Sequence, residues 1–134
     1  MGKRTILLVL LVLAGCGGGT AVSDLDQARA SWRAQGLRSY SVTVQKICFC
    51  PEEYTRPVTI TVRDGVATNA PEYLAAYGTV EKALDAVESA QKGKPDTLTV
   101  SFAPQGWPTS LYVDPSKALA DDEYRVLLSA VTPL

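Results

Sequence analysis

Residues 40–50 read Tyr-Ser-Val-Thr-Val-Gln-Lys-Ile-Cys-Phe-Cys, and the alternation in this stretch decides the fold class. Tyr40, Val42 and Val44 fall on one side and Ser41, Thr43 and Gln45 on the other, which is the period of a half-buried strand. Cys48 and Cys50 share the apolar side, and Pro51 with Glu52-Glu53 ends the segment. Downstream, Val58, Ile60 and Val62 repeat the alternation, and Asp64-Gly65 before Val66 signals a two-residue hairpin turn. Thr97 to Phe102 alternates again with Leu98, Val100 and Phe102 inward, followed by a loop at 103–108 and a strand over 109–113. Asp114-Pro115 and Asp121-Asp122 break the chain before a last apolar segment, Tyr124 to Val131. This segment is read as a strand, although Tyr124, Leu127, Leu128 and Val131 also fit a helical stripe.

Two stretches change period. In Asp24 to Gln35, Leu25, Ala28 and Trp32 share a helical face, with Ser23 or Asp24 as cap and Gly36 as stop. In Thr79 to Lys92, Thr79 caps a stripe of Val80, Ala83, Leu84 and Val87, and Gly93 and Pro95 close it. Hairpins separated by helices, without a regular βαβ rhythm, predict a single α+β domain: an antiparallel sheet with two helices packed on one face.

The N-terminus carries a different signal. Lys3-Arg4, an apolar run from Ile6 to Leu13, and Leu13-Ala14-Gly15-Cys16 have the order of a bacterial lipoprotein export signal. The apolar run is too short to span a bilayer. The expected division is a signal peptide over 1–15, a Gly-rich tether over 16–23 and the α+β domain over 24–134. Cys16 is the expected lipidation site, and acyl chains there would hold the domain to a membrane on its extracytoplasmic side. Gly17 is not the Asp linked to inner-membrane retention, so the outer membrane or cell surface is the expected location. Loss of Lys3 and Arg4 with the leader leaves eleven basic against 14 acidic residues. Nucleic-acid binding, which relies on clustered Lys and Arg, is set aside.

The chain has no histidine, which removes Ser-His-Asp and Cys-His catalysis and imidazole-ligated zinc. No catalytic set, cofactor site or metal site stands out. Cys48-Phe49-Cys50 is the one local motif able to carry chemistry, because outside the cytoplasm neighbouring thiols oxidise and Cys16 is committed to lipid. Residues two apart in a strand lie about 6.6 Å apart, at the upper edge of disulfide geometry, so the strand must bulge or end there. A local structural disulfide is the reading favoured by base rate. A redox-active pair and a two-thiolate Cu(I) site are the alternatives. Gly106-Trp107-Pro108 puts an aromatic in a turn, either as an exposed anchor with Tyr112 nearby or as a lid over the core. Asp114 and Asp121-Asp122-Glu123 lack the spacing of a Ca²⁺ loop and read as turn or surface residues.

The order of leader, first helix, Cys-aromatic-Cys after a strand, hairpin, helix, Gly-aromatic-Pro and a later Asp-Asp-Glu resembles a family of small bacterial lipoproteins built on a domain of unknown function. That resemblance implies an exported α+β domain, Cys48 and Cys50 acting as a pair, and Gly106-Trp107-Pro108 with Asp121-Asp122-Glu123 as family features. It implies no reaction. The functional expectation is a membrane-anchored, non-enzymatic binding domain of the cell envelope. An envelope protein or peptide would be its partner, and Trp107, Tyr112, Asp121, Asp122 and Glu123 would be candidate contacts. The alternative is a thiol–disulfide redox protein using Cys48 and Cys50.

Overall fold

A computed structural model describes residues 23–134. The expected leader, Cys16 and nearly all of the Gly-rich tether lie outside the described residues. Within them the chain folds as one α+β domain in the order α1 (Asp24–Gln35), β1 (Tyr40–Cys48), β2 (Val58–Arg63), β3 (Val66–Ala67), α2 (Val80–Lys92), β4 (Thr97–Phe102), β5 (Pro108–Asp114) and β6 (Tyr124–Pro133). All strand pairings are antiparallel, in the order β3-β2-β1-β6-β5-β4. Two three-stranded meanders, one on each side of α2 in sequence, are therefore joined edge to edge where β1 meets β6.

Local chemistry sets most boundaries. Ser23 accepts from the Asp26 amide at the start of α1, and Gly36 ends it in the left-handed region at φ 61°. Thr79 accepts from the Lys82 amide at the start of α2. Asp64 (φ 49°) and Gly65 (φ 81°) both take positive φ between β2 and β3, which is what a tight hairpin turn of the twisted sheet requires. The final apolar segment is a strand: Val126 and Leu128 are buried while Arg125 and Ser129 are exposed, a period of two.

One side of the sheet is buried and the other open. Tyr40, Val42, Val44, Ile60, Val62, Leu111, Val113, Val126 and Leu128 form one cluster with Leu25, Ala28 and Trp32 of α1 and Val80, Ala83, Leu84 and Val87 of α2. Leu74, from a short 3-10 turn over Glu72–Tyr77, completes it. The opposite face carries Ser41, Thr43 and Gln45 of β1, Thr59 and Thr61 of β2, Thr97, Thr99 and Ser101 of β4, and Ser110 and Tyr112 of β5. A sheet with one packed and one wetted face needs this division. Among the described residues no helix is long and apolar enough to cross a membrane.

The helix layer is tied to the sheet by one carboxylate. Trp32 Nε1 donates to Glu81 Oε1 at 2.8 Å, and Tyr40 Oη donates to Glu81 Oε2 at 3.3 Å. Tyr40 Oη also accepts from the Val80 amide at 2.9 Å, so α1, β1 and the first turn of α2 meet there. Burial, aided by the Glu81 carboxylate and opposed by the Val80 amide, pushes the Tyr40 phenol well above its ordinary range. Burial first, then Tyr124, pushes Tyr77 up to about 12. A folded-state value above the unfolded one means that the stability is intact below pH 10 and is lost as pH climbs through the folded value. The expected result of an alkaline titration is that Tyr40 and Tyr77 ionise only together with unfolding, read from phenolate absorbance and circular dichroism in parallel. Tyr40→Phe and Tyr77→Phe should each remove part of that coupling.

Candidate functional site

The end of β1 holds the largest anomaly on the surface. The alternation that buries Tyr40, Val42 and Val44 sends Ile47 and Phe49 to the open face, and they are 43% and 82% exposed. Cys48 and Cys50, on the opposite parity, are joined in a disulfide with Cα atoms 5.3 Å apart. Since an extended strand would separate them by about 6.6 Å, the chain is folded at Phe49, and β1 ends at Cys48. The bridge therefore closes a three-residue ring with an aromatic at its tip. A ring this small removes little unfolded-chain entropy, roughly 1.6 kcal/mol, so its main effect is local. Gln45 Nε2 donates to the Thr55 carbonyl at 3.0 Å and Tyr54 packs edge-on to Tyr73 at 5.1 Å, which pins the segment after the ring.

Neighbouring strands complete the corner. Ile47 is opposite Arg125 on β6, and Arg125 is opposite Tyr112 on β5. The Arg125 guanidinium stacks over the Tyr112 ring at 5.1 Å and Nη1 donates to Ser110 Oγ at 3.3 Å. Among the described residues no carboxylate lies within ion-pair distance of it. Ile47, Phe49, Tyr112, Arg125 and Glu123 line a shallow depression of about 180 Å³ beside the disulfide. Lys46 Nζ sits over the Tyr124 ring at 5.5 Å on the same strand end. The corner can bury an apolar group against Phe49 and Ile47 and offer a cation to a carboxylate. Among the described residues no group of three metal-binding side chains is assembled, and the bridge occupies both sulfurs.

The five residues proposed as contacts from sequence do not form one surface. Tyr112 and Glu123 reach the corner. Trp107 is half-buried on the helix side, edge-on to Trp32 with ring centroids 6.5 Å apart, and Pro108 beside it is fully buried. Gly106, at φ 104°, lies so close to α1 that a Cβ there would meet the Ala28 carbonyl oxygen and approach the Trp32 amide nitrogen to 2.5 Å. Gly106-Trp107-Pro108 is thus the fastening between the β4–β5 loop and α1. Asp121 is exposed at φ 67°, and Asp122 Oδ1, like Asp114 Oδ1, is buried without a hydrogen-bond partner. Phe49, Ile47 and Arg125, which line the depression, were not singled out by the sequence reading. The signal was their parity, since Ile47 and Phe49 break a run of Ser, Thr and Gln on the outward side.

A family model described as a family of unknown function (DUF6174) matches residues 24–133. No curated protein and no solved structure matches the chain.

Proposed function

We propose that this chain, which belongs to the DUF6174 family of unknown function, is a lipid-anchored extracytoplasmic protein whose domain binds an envelope protein or peptide and does not catalyse a reaction. The observation that carries the reading is Phe49: a large aromatic, 82% exposed, held outward by a disulfide ring beside an arginine without a salt bridge among the described residues. Aromatic residues and arginine are enriched at protein interfaces, and tyrosine and arginine are among the residues that dominate binding energy there. Anchoring rests on the leader pattern and Cys16, and the few residues between Cys16 and Asp24 would keep the domain close to the membrane. Metabolic labelling with a fatty-acid analogue should mark the chain and fail with Cys16→Ser. Label retained by Cys16→Ser, or none on the parent chain, would end the lipoprotein reading.

Binding at the corner has its own test. A photo-crosslinking residue at position 49, in intact cells, is expected to yield a discrete adduct that position 61 does not. Arg125→Ala and Tyr112→Ala should each reduce its yield about tenfold, the equivalent of about 1.4 kcal/mol, without shifting the thermal midpoint. Equal adducts at 49 and 61 would remove the corner as an interface.

The disulfide's position at the surface favours one second reading, thiol–disulfide exchange through Cys48 and Cys50. In exchange, a substrate thiolate attacks one sulfur, the Cys48–Cys50 bond breaks and the other cysteine leaves as a thiolate. The nearby cations, Lys46 and Arg125, are engaged on tyrosine rings and not on a sulfur. Redox function predicts that single Cys→Ser variants trap mixed disulfides in cells. Binding predicts that they trap none and lose only the orientation of Phe49.

A further inference from the structure

The free edge of the sheet at β4 is unguarded. Soluble proteins protect edge strands with charge, proline, bulges or very short length. The opposite edge is protected by length, since β3 has two residues. β4 has six, and its central run Thr97-Leu98-Thr99-Val100-Ser101 contains no charge and no proline. Its only register irregularity comes at the far end, between Ser101 and Phe102. The Asp96 amide donates inward to the Pro115 carbonyl, so the antiparallel alternation turns the backbone groups of Leu98 and Val100 toward β5 and those of Thr97, Thr99 and Ser101 outward. A row of open donors and acceptors on an uncharged six-residue strand is a template for another strand.

The run is also complementary to itself. In an antiparallel pairing about Thr99, Thr97 meets Ser101, Leu98 meets Val100, and Thr99 meets its own copy. Hydroxyls would then match hydroxyls on the open face, and apolar residues would match apolar residues on the helix face. Leu98, Val100 and Phe102 are only partly buried in one copy, so the pairing would extend the apolar layer that each copy leaves incomplete.

We propose that two copies of this chain associate through β4, pairing antiparallel about Thr99 into one continuous twelve-stranded sheet. The pairing is isologous and closes after two copies, because each copy has one such edge. It goes beyond the binding role at Phe49 and stands without it. It also bears on that role, because Thr99, Tyr112, Arg125 and Ile47 are consecutive partners across β4, β5, β6 and β1. The two-fold axis would place both corners on the same face of the joined sheet.

The test is a cysteine at the axis. Hydrogen-bonded antiparallel partners have Cα atoms about 5.5 Å apart, within disulfide range. Full-length Thr99→Cys, in its native membrane and in detergent, should therefore oxidise with copper phenanthroline to a covalent dimer. The yield should be several-fold above that of Thr61→Cys, a collision control on the open face of β2, and of the parent chain, which reports any free Cys16. Adding Thr97→Pro removes an outward N–H that β5 does not use and blocks an added strand. It should return the dimer yield to the control level while the thermal midpoint stays put. Thr99→Cys at or below the controls, or a dimer yield indifferent to Thr97→Pro, would overturn the proposal.

Discussion

Gly106→Ala should cost about 3 kcal/mol or more and lower the thermal midpoint by about 12 °C or more. Two effects add at this position. The backbone sits at φ 104°, where an L side chain is strained, and the new Cβ would meet the Ala28 carbonyl oxygen, the Trp32 amide nitrogen at 2.5 Å and the Trp32 Cα at 3.1 Å. These are backbone atoms of a capped helix that is itself packed on the sheet, so no rotamer change can clear them. The loop at 103–107 must lift from α1, and Trp107 must lose its contact with Trp32. Gly65→Ala separates the two effects. Gly65 also has a positive φ, 81°, yet nothing lies within 4 Å of its Cβ position, so only strain of about 1 kcal/mol is expected there. Denaturant unfolding of both variants measures the difference. Equal losses would mean that the approach of the loop to α1 contributes nothing.

The glycine shows where sequence reasoning stopped. Gly106-Trp107-Pro108 could be placed in a turn between two strands. That the turn lands on α1, some seventy residues earlier, is a tertiary fact with no local signature. The same holds for the joint between the meanders. Alternation in Tyr40–Val44 identifies a strand with an inner face, and Tyr124–Val131 reads as an apolar segment that suits a strand or a helix, but neither shows that they pair, and the bulge opposite Ser41–Thr43 uses Ala130 at φ 52°, without a glycine to announce it. Features written in short-range chemistry were legible: the Thr79 cap, Gly36, the Asp64-Gly65 turn and the proximity of Cys48 to Cys50. The 3-10 turn that carries Leu74 into the core was not, because six residues with one buried side chain show no period. At the site, the cysteines are legible because their chemistry is distinctive. Phe49 between them was legible only by parity, and Arg125 only once β6 was set beside β1.

Trp32→Ala is expected to cost about 4 kcal/mol, the second large effect. Trp32 is 3% exposed and meets Tyr40 edge-on with centroids 5.2 Å apart and Trp107 edge-on with centroids 6.5 Å apart. Truncation leaves a void where α1, β1 and the β4–β5 loop converge and takes a donor from Glu81. Trp32→Phe distinguishes packing from hydrogen bonding. It keeps an aromatic edge for Tyr40 but loses Nε1, and Glu81, exposed as a residue, can turn to water in its place. The hydrogen bond should therefore account for only about 1 kcal/mol, with the remainder in packing. A double-mutant cycle of Trp32→Ala with Trp107→Ala should show about 1 kcal/mol of coupling, as for an edge-on aromatic pair. Additive losses would detach Trp107 from the core and return it to the list of candidate contacts. Coupled losses, with crosslinking at position 49 unchanged per folded molecule, would place the Gly-Trp-Pro turn in stability and leave recognition to the disulfide-tipped corner. The two roles would then sit on opposite faces of the same sheet, one buried by helices and one open.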